Sequence, residues 1–473
     1  MNNKIRVRFA PSPTGHLHIG GLRTVIFNWL LARRNNGKFL LRIEDTDLER
    51  SKPEFVDSIV ASLKWMGITP DEDIVIQSAR VPEHRRIAKE LVAQGKAYYC
   101  FCTQEQVIER HKKKFGEADI YIKYDGACRE RKTTEADLLD PHVIRFALPT
   151  NLSSISWKDL VRDDISSETD QLDDFIIIRS DGMSMYNFAV VLDDNYMGIT
   201  HIIRGEEHVS NTPKQILLYN ALDYVLPLFG HVSMILGPSG NKLSKRDGAT
   251  SVLEYKQMGY MPDALFNYLV RLGWAHGDQE KFSRIELIDL FSIEAVSKKA
   301  AIFDQTKLDW LNGVYIRQEA AQDIWKRMVE DIVHPIFKEI TWDDTKIYAA
   351  IDLYKERVKT LKELAAELLI LYGPTVIYVE QDMAQWLTPN TVEPLEAIVE
   401  ALQNVSEFKS AEINATIKEL AKTLNLKLVN LAQPIRLALV GKSSSPGVFE
   451  LLELVGKEES IKRLKNLIMY LKQ

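Results

Sequence analysis

No stretch of about 18 uncharged apolar residues occurs in this chain, so no membrane span is expected. Cysteine is scarce: 3 among 473 residues is too few for a disulfide framework, and the odd count favours a reducing, cytoplasmic setting. The opening residues, MNNKIRVRFAPSP, lack the long apolar segment of a secretory signal. An excess of positive charge is missing as well. The formal net charge of −6 argues against nucleic-acid binding by bulk charge, while leaving room for a local basic face. Internal repeats and low-complexity tracts are absent. What remains is an ordinary globular composition, 45% hydrophobic and 27% charged, over a length that exceeds a single core.

The segment Ile5–Phe9 is short and alternates apolar with basic residues, which predicts a strand. A Pro- and Gly-rich loop follows. Leu22, Val25, Ile26, Trp29 and Leu30 then recur at helical spacing, and Asn35, Asn36 and Gly37 supply the stop. Lys38–Asp47 reads as a second strand ending in acids. Strand, crossover helix, strand implies a parallel sheet, and ligands of such sheets bind at the carboxyl ends of the strands. The pattern changes over Ile74–Arg179, where a cysteine patch, a lysine run and strand-like segments predict an insertion. The βα pattern returns near Ile199–Leu222, and beyond about Glu319 the sequence is helical in period almost to its end.

The loop after the first strand, RFAPSPTGHLHIGGLRT, concentrates unusual chemistry. Pro11 and Pro13 stiffen it. Gly15, Gly20 and Gly21 remove Cβ atoms where a ligand would approach the backbone. The helix beyond offers a positive dipole end to phosphate, and His16 and His18 add donors. A second loop, GNKLSKRDGATS, places Lys242 and Lys245 three apart, flanked by glycine and by Ser244, so that they can close on a triphosphate and stabilise a leaving pyrophosphate.

These two motifs together resemble the signatures of class I aminoacyl-tRNA synthetases. The first stands here as His18-Ile19-Gly20-Gly21, with glycine where the general class has a second histidine, and the second as Lys242-Leu243-Ser244-Lys245-Arg246. The longer frame RFAPSPTG-x-L-H-x-G-G resembles the bacterial-type glutamyl branch. The resemblance implies ATP, with magnesium on its phosphates, held by His16, His18, Gly20, Gly21, Lys242, Ser244 and Lys245, of which His18, Lys242 and Lys245 would act on the reacting phosphates.

An enzyme of that kind binds an α-ammonium and two carboxylates. Arginine is the best carboxylate holder because its planar fork donates two parallel hydrogen bonds. Arg8 and Arg204 stand at strand ends, and so does Glu44, a natural partner for the ammonium. The resemblance assigns Arg8 and Arg204 to the carboxylates and Glu44 to the ammonium, with Ser12 and Tyr186 completing the pocket. Ion pairing of Arg204 with Glu206 or Glu207 is the structural alternative.

All three cysteines lie close in sequence, as Cys100, Cys102 and Cys128. A structural zinc and free thiols are both compatible with that clustering. His111 lies between them. The resemblance offers Tyr124 as a fourth ligand, since Glu130 occupies the place where other relatives carry histidine.

The resemblance implies a Rossmann-type parallel-sheet catalytic domain in two halves, 1–75 and 186–248. Between them would lie an α+β acceptor-end domain over 76–185. A stem-contact helical domain over 249–320 and an all-α anticodon-binding region over 321–473 complete the expectation. The implied activity is ATP-dependent charging of tRNA(Glu) with L-glutamate by a monomer away from any membrane, with tRNA(Gln) left open as a second acceptor. The helical C-terminal half disfavours a glutaminyl enzyme. The length disfavours a paralogue that modifies a tRNA base, and joint retention of His18, Lys242, Lys245, Arg8 and Glu44 disfavours a non-catalytic tRNA-binding module.

Overall fold

The computed structural model describes residues 4–47, 49–115 (114 and 115 by backbone only), 122–241, 243, 251–331, 340, 342–373 and 375–473. The alternating first segment forms β1 (Arg6–Phe9), α1 (Ile19–Arg34) is the crossover, and β2 (Lys38–Ile43) follows. After α2 (Pro53–Trp65) comes β3 (Val75–Ile76). The three strands are parallel, in the order β1-β2-β3. The strand expected over 38–47 stops at Ile43, because the Glu44 amide leaves the ladder and donates to the Pro11 carbonyl at 2.9 Å.

The expected apolar stripe of α1 is buried, but so are Arg23, Phe27, Asn28 and Leu31 on its other faces. Residues of the 265–305 segment explain this. Phe266 packs edge-on against Trp29 at 5.7 Å, and Phe291 lies 5.4 Å from Phe27. The buried polar groups find carbonyls: Asn28 donates to Ile203 at 3.0 Å and Arg23 to Leu272 at 2.6 Å. Asn36 closes the helix with φ 50°, and a Cβ at Gly37 would collide with the Ile5 carbonyl oxygen, so the turn into β2 requires glycine there.

Next come α3 (Val81–Ala93), β4 (Ala97–Cys100), α4 (Gln104–Phe115), β5 (Val143–Phe146), β6 (Ser154–Asp159), β7 (Asp163–Glu168) and β8 (Ile176–Ile178). Strands β4, β5 and β8 form an antiparallel sheet. The chain continues with α5 (Tyr186–Tyr196), β9 (His201–Gly205), α6 (Thr212–Ala221) and β10 (Leu228–Val232). Strand β10 runs parallel to both β9 and β6, and β6 pairs antiparallel with β7, giving the order β7-β6-β10-β9. Thr200, just before β9, donates its amide to the Arg6 carbonyl at 2.9 Å and so ties the start of β9 to the start of β1. Two short strands, β11 (Ile235–Leu236) and β12 (Ala301–Ile302), pair in parallel, and β12 interrupts the helical domain expected over 249–320. All these strands belong to one compact unit, residues 1–254 with 265–305.

A second compact unit comprises residues 255–264 and 306–473. Among its described residues there is no strand. Leu361–Tyr372 is a helix capped by Thr360, whose side chain accepts from the Glu363 amide. The long period over the last residues divides into Val448–Val455 and Lys457–Leu471 at Gly456, whose φ of 91° suits glycine. Leu364, Leu395, Ile435, Leu451 and Leu464 are among the residues of its core. No helix among the described residues is long and apolar enough to cross a membrane.

Arg463 is a buried cation in that core. It donates to the carbonyls of Leu371 (2.6 Å), Leu439 (2.7 Å) and Gly373 (3.0 Å), and to Glu459 at 3.0 Å. One guanidinium thereby satisfies carbonyls at the ends of two helices, where the dipole is negative. Replacing Arg463 with Met leaves those acceptors buried and unpaired. We expect a loss of about 3 kcal/mol, read as an earlier denaturant midpoint for the C-terminal helical unit.

Candidate active site

The carboxyl ends of β1, β2 and β9 converge on a cluster of buried charge. Arg8 leaves β1 and donates through Nε (3.1 Å) and Nη2 (3.3 Å) to the two oxygens of Asp194 on α5. Arg42, fully buried on β2, donates to Asp194 at 2.5 Å and to Glu44 at 2.8 Å. Alternation along a strand puts Arg42 and Glu44 on one face, which brings these two side chains together.

Arg204 leaves β9 and is 5% exposed. Its Nε donates to His231 Nε2 at 3.1 Å and its Nη2 to Thr212 at 2.8 Å. Its Nη1 is buried with no hydrogen-bond partner. The ion-pair alternative is not what the structure shows: Glu206 pairs with Arg162, and Glu207 sits 3.9 Å from His208. Burial pulls the Arg204 guanidinium below its ordinary range and Arg8 adds to that, while Tyr186, Asp194 and Glu44 oppose it. These five groups therefore share one electrostatic environment.

Within it, burial holds the Glu44 carboxyl above the usual carboxylate range despite Arg42 and Arg8. Asp194 lies below that range: burial resists, but Arg42 and Arg8 prevail. Tyr186, the first residue of α5, is pushed up to about 12 by burial and Glu44, and its Oη lies 3.3 Å from His208 Nδ1. Burial and Arg204 lower His208 to about 4, so that ring is neutral at pH 7. Arg8 and Arg42 contact carboxylates directly, Asp194 and Glu44, whereas Arg204 contacts none among the described residues, and its buried Nη1 is left without an acceptor.

The loop between β1 and α1 borders this cluster, since Glu44 binds the Pro11 carbonyl. Ser12 is exposed there. His18 caps α1: its Nδ1 accepts from the Gly21 amide at 3.2 Å. In the neutral ring that bond leaves the proton on Nε2, which becomes a donor. Gly20 makes room for the imidazole and Gly21 for the Leu17 side chain, rather than clearing space for a ligand alone. A Cβ on Gly20 would lie 3.1 Å from the His18 ring, and one on Gly21 would lie 2.9 Å from Leu17. His16 is turned to α2, with Nδ1 2.8 Å from the Ser58 hydroxyl and its ring edge-on to Phe55. Lys242, Ser244 and Lys245 lie outside the described residues.

Apart from this cluster, Cys100, Cys102 and Cys128 place their sulfurs within 4.8 Å of one another. Tyr124 Oη lies 3.4 Å from Cys100 Sγ and 3.9 Å from Cys102 Sγ. His111 instead accepts from the Lys123 amide at 3.2 Å. Arg110 donates to Cys102 Sγ at 3.1 Å, and Arg145 stacks 3.8 Å over the Tyr124 ring. Three sulfurs and a phenol oxygen at these separations suit the edges of a tetrahedral zinc site, about 3.8 Å for zinc–sulfur bonds of about 2.3 Å.

Sequence reasoning did not find Arg42, Asp194, Asp159, Thr212 or His231. A signal existed for the first two. Asp193 and Asp194 stand in the apolar run of α5, and Arg42 in that of β2, where a charge is untenable without a partner.

A family model described as tRNA synthetases class I (E and Q), catalytic domain, matches residues 4–310, and an anticodon binding domain model matches 292–468. The chain is 44% identical over 472 residues to a glutamate–tRNA ligase of Geobacter sulfurreducens, covering 99% of each. It is 43% identical to one of Thermodesulfovibrio yellowstonii, covering 98% of this chain and 99% of the relative. Among solved structures, a glutamate tRNA ligase of Elizabethkingia meningosepticum in complex with its amino acid superposes with a TM-score of 0.88 at 32% identity. That match covers 99% of this chain and 100% of the other.

Asp194 is the common anion of Arg8 and Arg42. Asp194→Ala strands two buried cations and should destabilise the protein by about 3–5 kcal/mol at pH 7, measured by denaturant unfolding. The folded-state pKa of Asp194 is depressed, so its stabilisation is fully present above the unfolded carboxylate value near 4. The gap between variant and wild type should therefore narrow as pH falls below about 4.

Proposed function

The chain belongs to the class I tRNA synthetases of the glutamate and glutamine branch, and from that premise we propose that it is a glutamate–tRNA ligase working through the buried charge cluster. It would activate L-glutamate with ATP and transfer the product to the terminal ribose of tRNA(Glu). The observation that carries this reading is the unclaimed Nη1 of buried Arg204, a guanidinium in contact with no carboxylate among the described residues, beside Arg8, Glu44 and Tyr186. Glutamate carries two carboxylates and one ammonium, and a carboxylate supplies the missing acceptor.

We assign the substrate carboxylates to Arg8 and Arg204, with Tyr186 and Ser12 at the rim, and the ammonium to Glu44. A carboxylate held uneasily by burial gains most from an arriving cation. In the first step a glutamate α-carboxylate oxygen attacks the α-phosphorus of ATP. The bond to the bridging oxygen breaks and pyrophosphate leaves with that electron pair. The terminal ribose hydroxyl of tRNA then attacks the acyl carbon, and AMP departs. Neither step needs a nucleophilic side chain, so catalysis is positioning and charge stabilisation. His18 Nε2–H is a donor for phosphate oxygen, with His16, Gly20 and Gly21 shaping that corner. Lys242, Ser244 and Lys245 are assigned to the phosphates by their motif, and magnesium would accompany ATP. Glutamine fills nearly the same volume but its side chain is neutral, so binding it leaves a buried guanidinium without a carboxylate partner, a penalty on the order of several kcal/mol.

Cys100, Cys102, Tyr124 and Cys128 would hold a structural zinc, bracing the β4-β5-β8 region. The purified chain should then contain about one zinc per molecule by elemental analysis. Cys128→Ser should lose the metal and lower the melting temperature, with metal content as the primary readout.

Incubating the full chain with ATP, glutamate and tRNA(Glu), and in a parallel arm tRNA(Gln), should yield glutamyl-tRNA with tRNA(Glu). No product with either tRNA overturns the reading. Arg204→Ala should lower kcat/KM for glutamate by about a thousandfold or more, and Arg204→Lys should not restore it, because an ammonium cannot reproduce the planar fork.

A further inference from the structure

Behind Arg204 lies a row of buried polar groups. Strands β6, β10 and β9 are neighbours in one sheet and each contributes one polar residue at its carboxyl end: Asp159, His231 and Arg204. His231 and Arg204 are register partners on adjacent parallel strands. Asp159 is 2% exposed and His231 fully buried. Asp159 Oδ2 lies 2.5 Å from His231 Nδ1. Its other oxygen accepts from the amides of Val161 and Arg162, both at 3.0 Å, and of His231 at 3.1 Å.

These bonds fix the protons. Asp159 accepts at every contact, so His231 Nδ1 carries hydrogen. Arg204 Nε–H is always a donor, so His231 Nε2, 3.1 Å away, presents its lone pair. Only one neutral tautomer meets both demands. The Thr212 hydroxyl accepts from Arg204 Nη2 at 2.8 Å. Two of the three guanidinium nitrogens are thereby committed and Nη1 is left over.

We propose that Asp159 and His231 are positioning residues for amino-acid selection: Asp159 locks the His231 tautomer, and the bare Nε2 of that ring holds Arg204 so that Nη1 is reserved for the substrate acid. This inference rests on the glutamate-binding reading of Arg204. A histidine acceptor suits the task better than a carboxylate, because a protein carboxylate in direct contact with Arg204 would compete with the substrate acid for the same guanidinium. The imidazole orients the guanidinium without neutralising it.

Asp159→Asn separates the two roles of the carboxylate. The carbonyl of the amide can keep the three backbone donors, while its NH2 faces Nδ1 and forces the proton onto Nε2, opposing the Arg204 Nε–H. With the full chain, ATP and tRNA, Asp159→Asn should raise KM for glutamate about tenfold or more, with KM for ATP and tRNA within about twofold of wild type. His231→Gln, whose side-chain oxygen can take the place of Nε2 as an acceptor, should stay closer to wild type than His231→Ala. Adding Asp159→Asn to His231→Ala should change KM for glutamate little further, because no ring remains whose tautomer could invert. Unchanged glutamate KM in Asp159→Asn, a parallel rise in all three KM values, or additive effects in the double variant would each overturn the positioning role. A wild-type chain that makes no glutamyl-tRNA would instead remove the function on which the role depends.

Discussion

Buried charge must be balanced, and that requirement organises the catalytic unit. Arg42 has no access to water and sits between Asp194 and Glu44. Burial works against its charge, but Asp194, Glu44 and Asp193 together hold it firmly protonated. That pairing fixes β2 against α5. Arg8, sharing Asp194, fixes β1 to the same helix. An ion pair of this kind is weak as a source of stability because desolvation offsets most of the attraction. Its value lies in register: only one placement of the two strands and the helix satisfies every donor.

The same network stops short of the next strand. Asp194 and Glu44 do not reach Arg204, which rests on the neutral acceptors His231 and Thr212. Nearby His208 is also neutral at pH 7. The protein thus carries a cation at the mouth of β9 that no carboxylate among the described residues contacts directly. The parallel sheet makes this possible, since its carboxyl ends bring β1, β2 and β9 side chains together from positions far apart in sequence.

Much of this architecture is legible in the sequence. The βαβ opening is written in alternation, helical spacing and the Asn-Asn-Gly stop, because each is a local property. Arg8, Glu44 and Arg204 are legible as charges at the ends of apolar runs. Where Arg42 and Asp194 point is not, since pairing across 152 positions depends on which helix covers which strand. Asp159 and His231 are hidden for the same reason: their meeting depends on β10 running between β6 and β9, and strand order is a tertiary fact. Gly20 and Gly21 signal close approach, but the sequence does not say that the approaching groups are the His18 ring and the Leu17 side chain.

These observations bear on how such a site discriminates between acids and amides of equal size. A site that relied on hydrogen-bond donors alone would accept a side-chain amide nearly as well, since the amide oxygen is also an acceptor. Net charge is the property the two ligands do not share. A buried guanidinium that no protein carboxylate contacts would convert that difference into binding energy, and only while it stays unpaired. On the proposed reading, the neutral imidazole on β10 is as much a part of the selectivity as Arg204 itself. Rigidity matters equally: a guanidinium free to swing toward Asp194 would find an internal partner. Two bonds to neutral acceptors keep Arg204 out of that competition, and the proposed specificity follows from what the fold declines to pair.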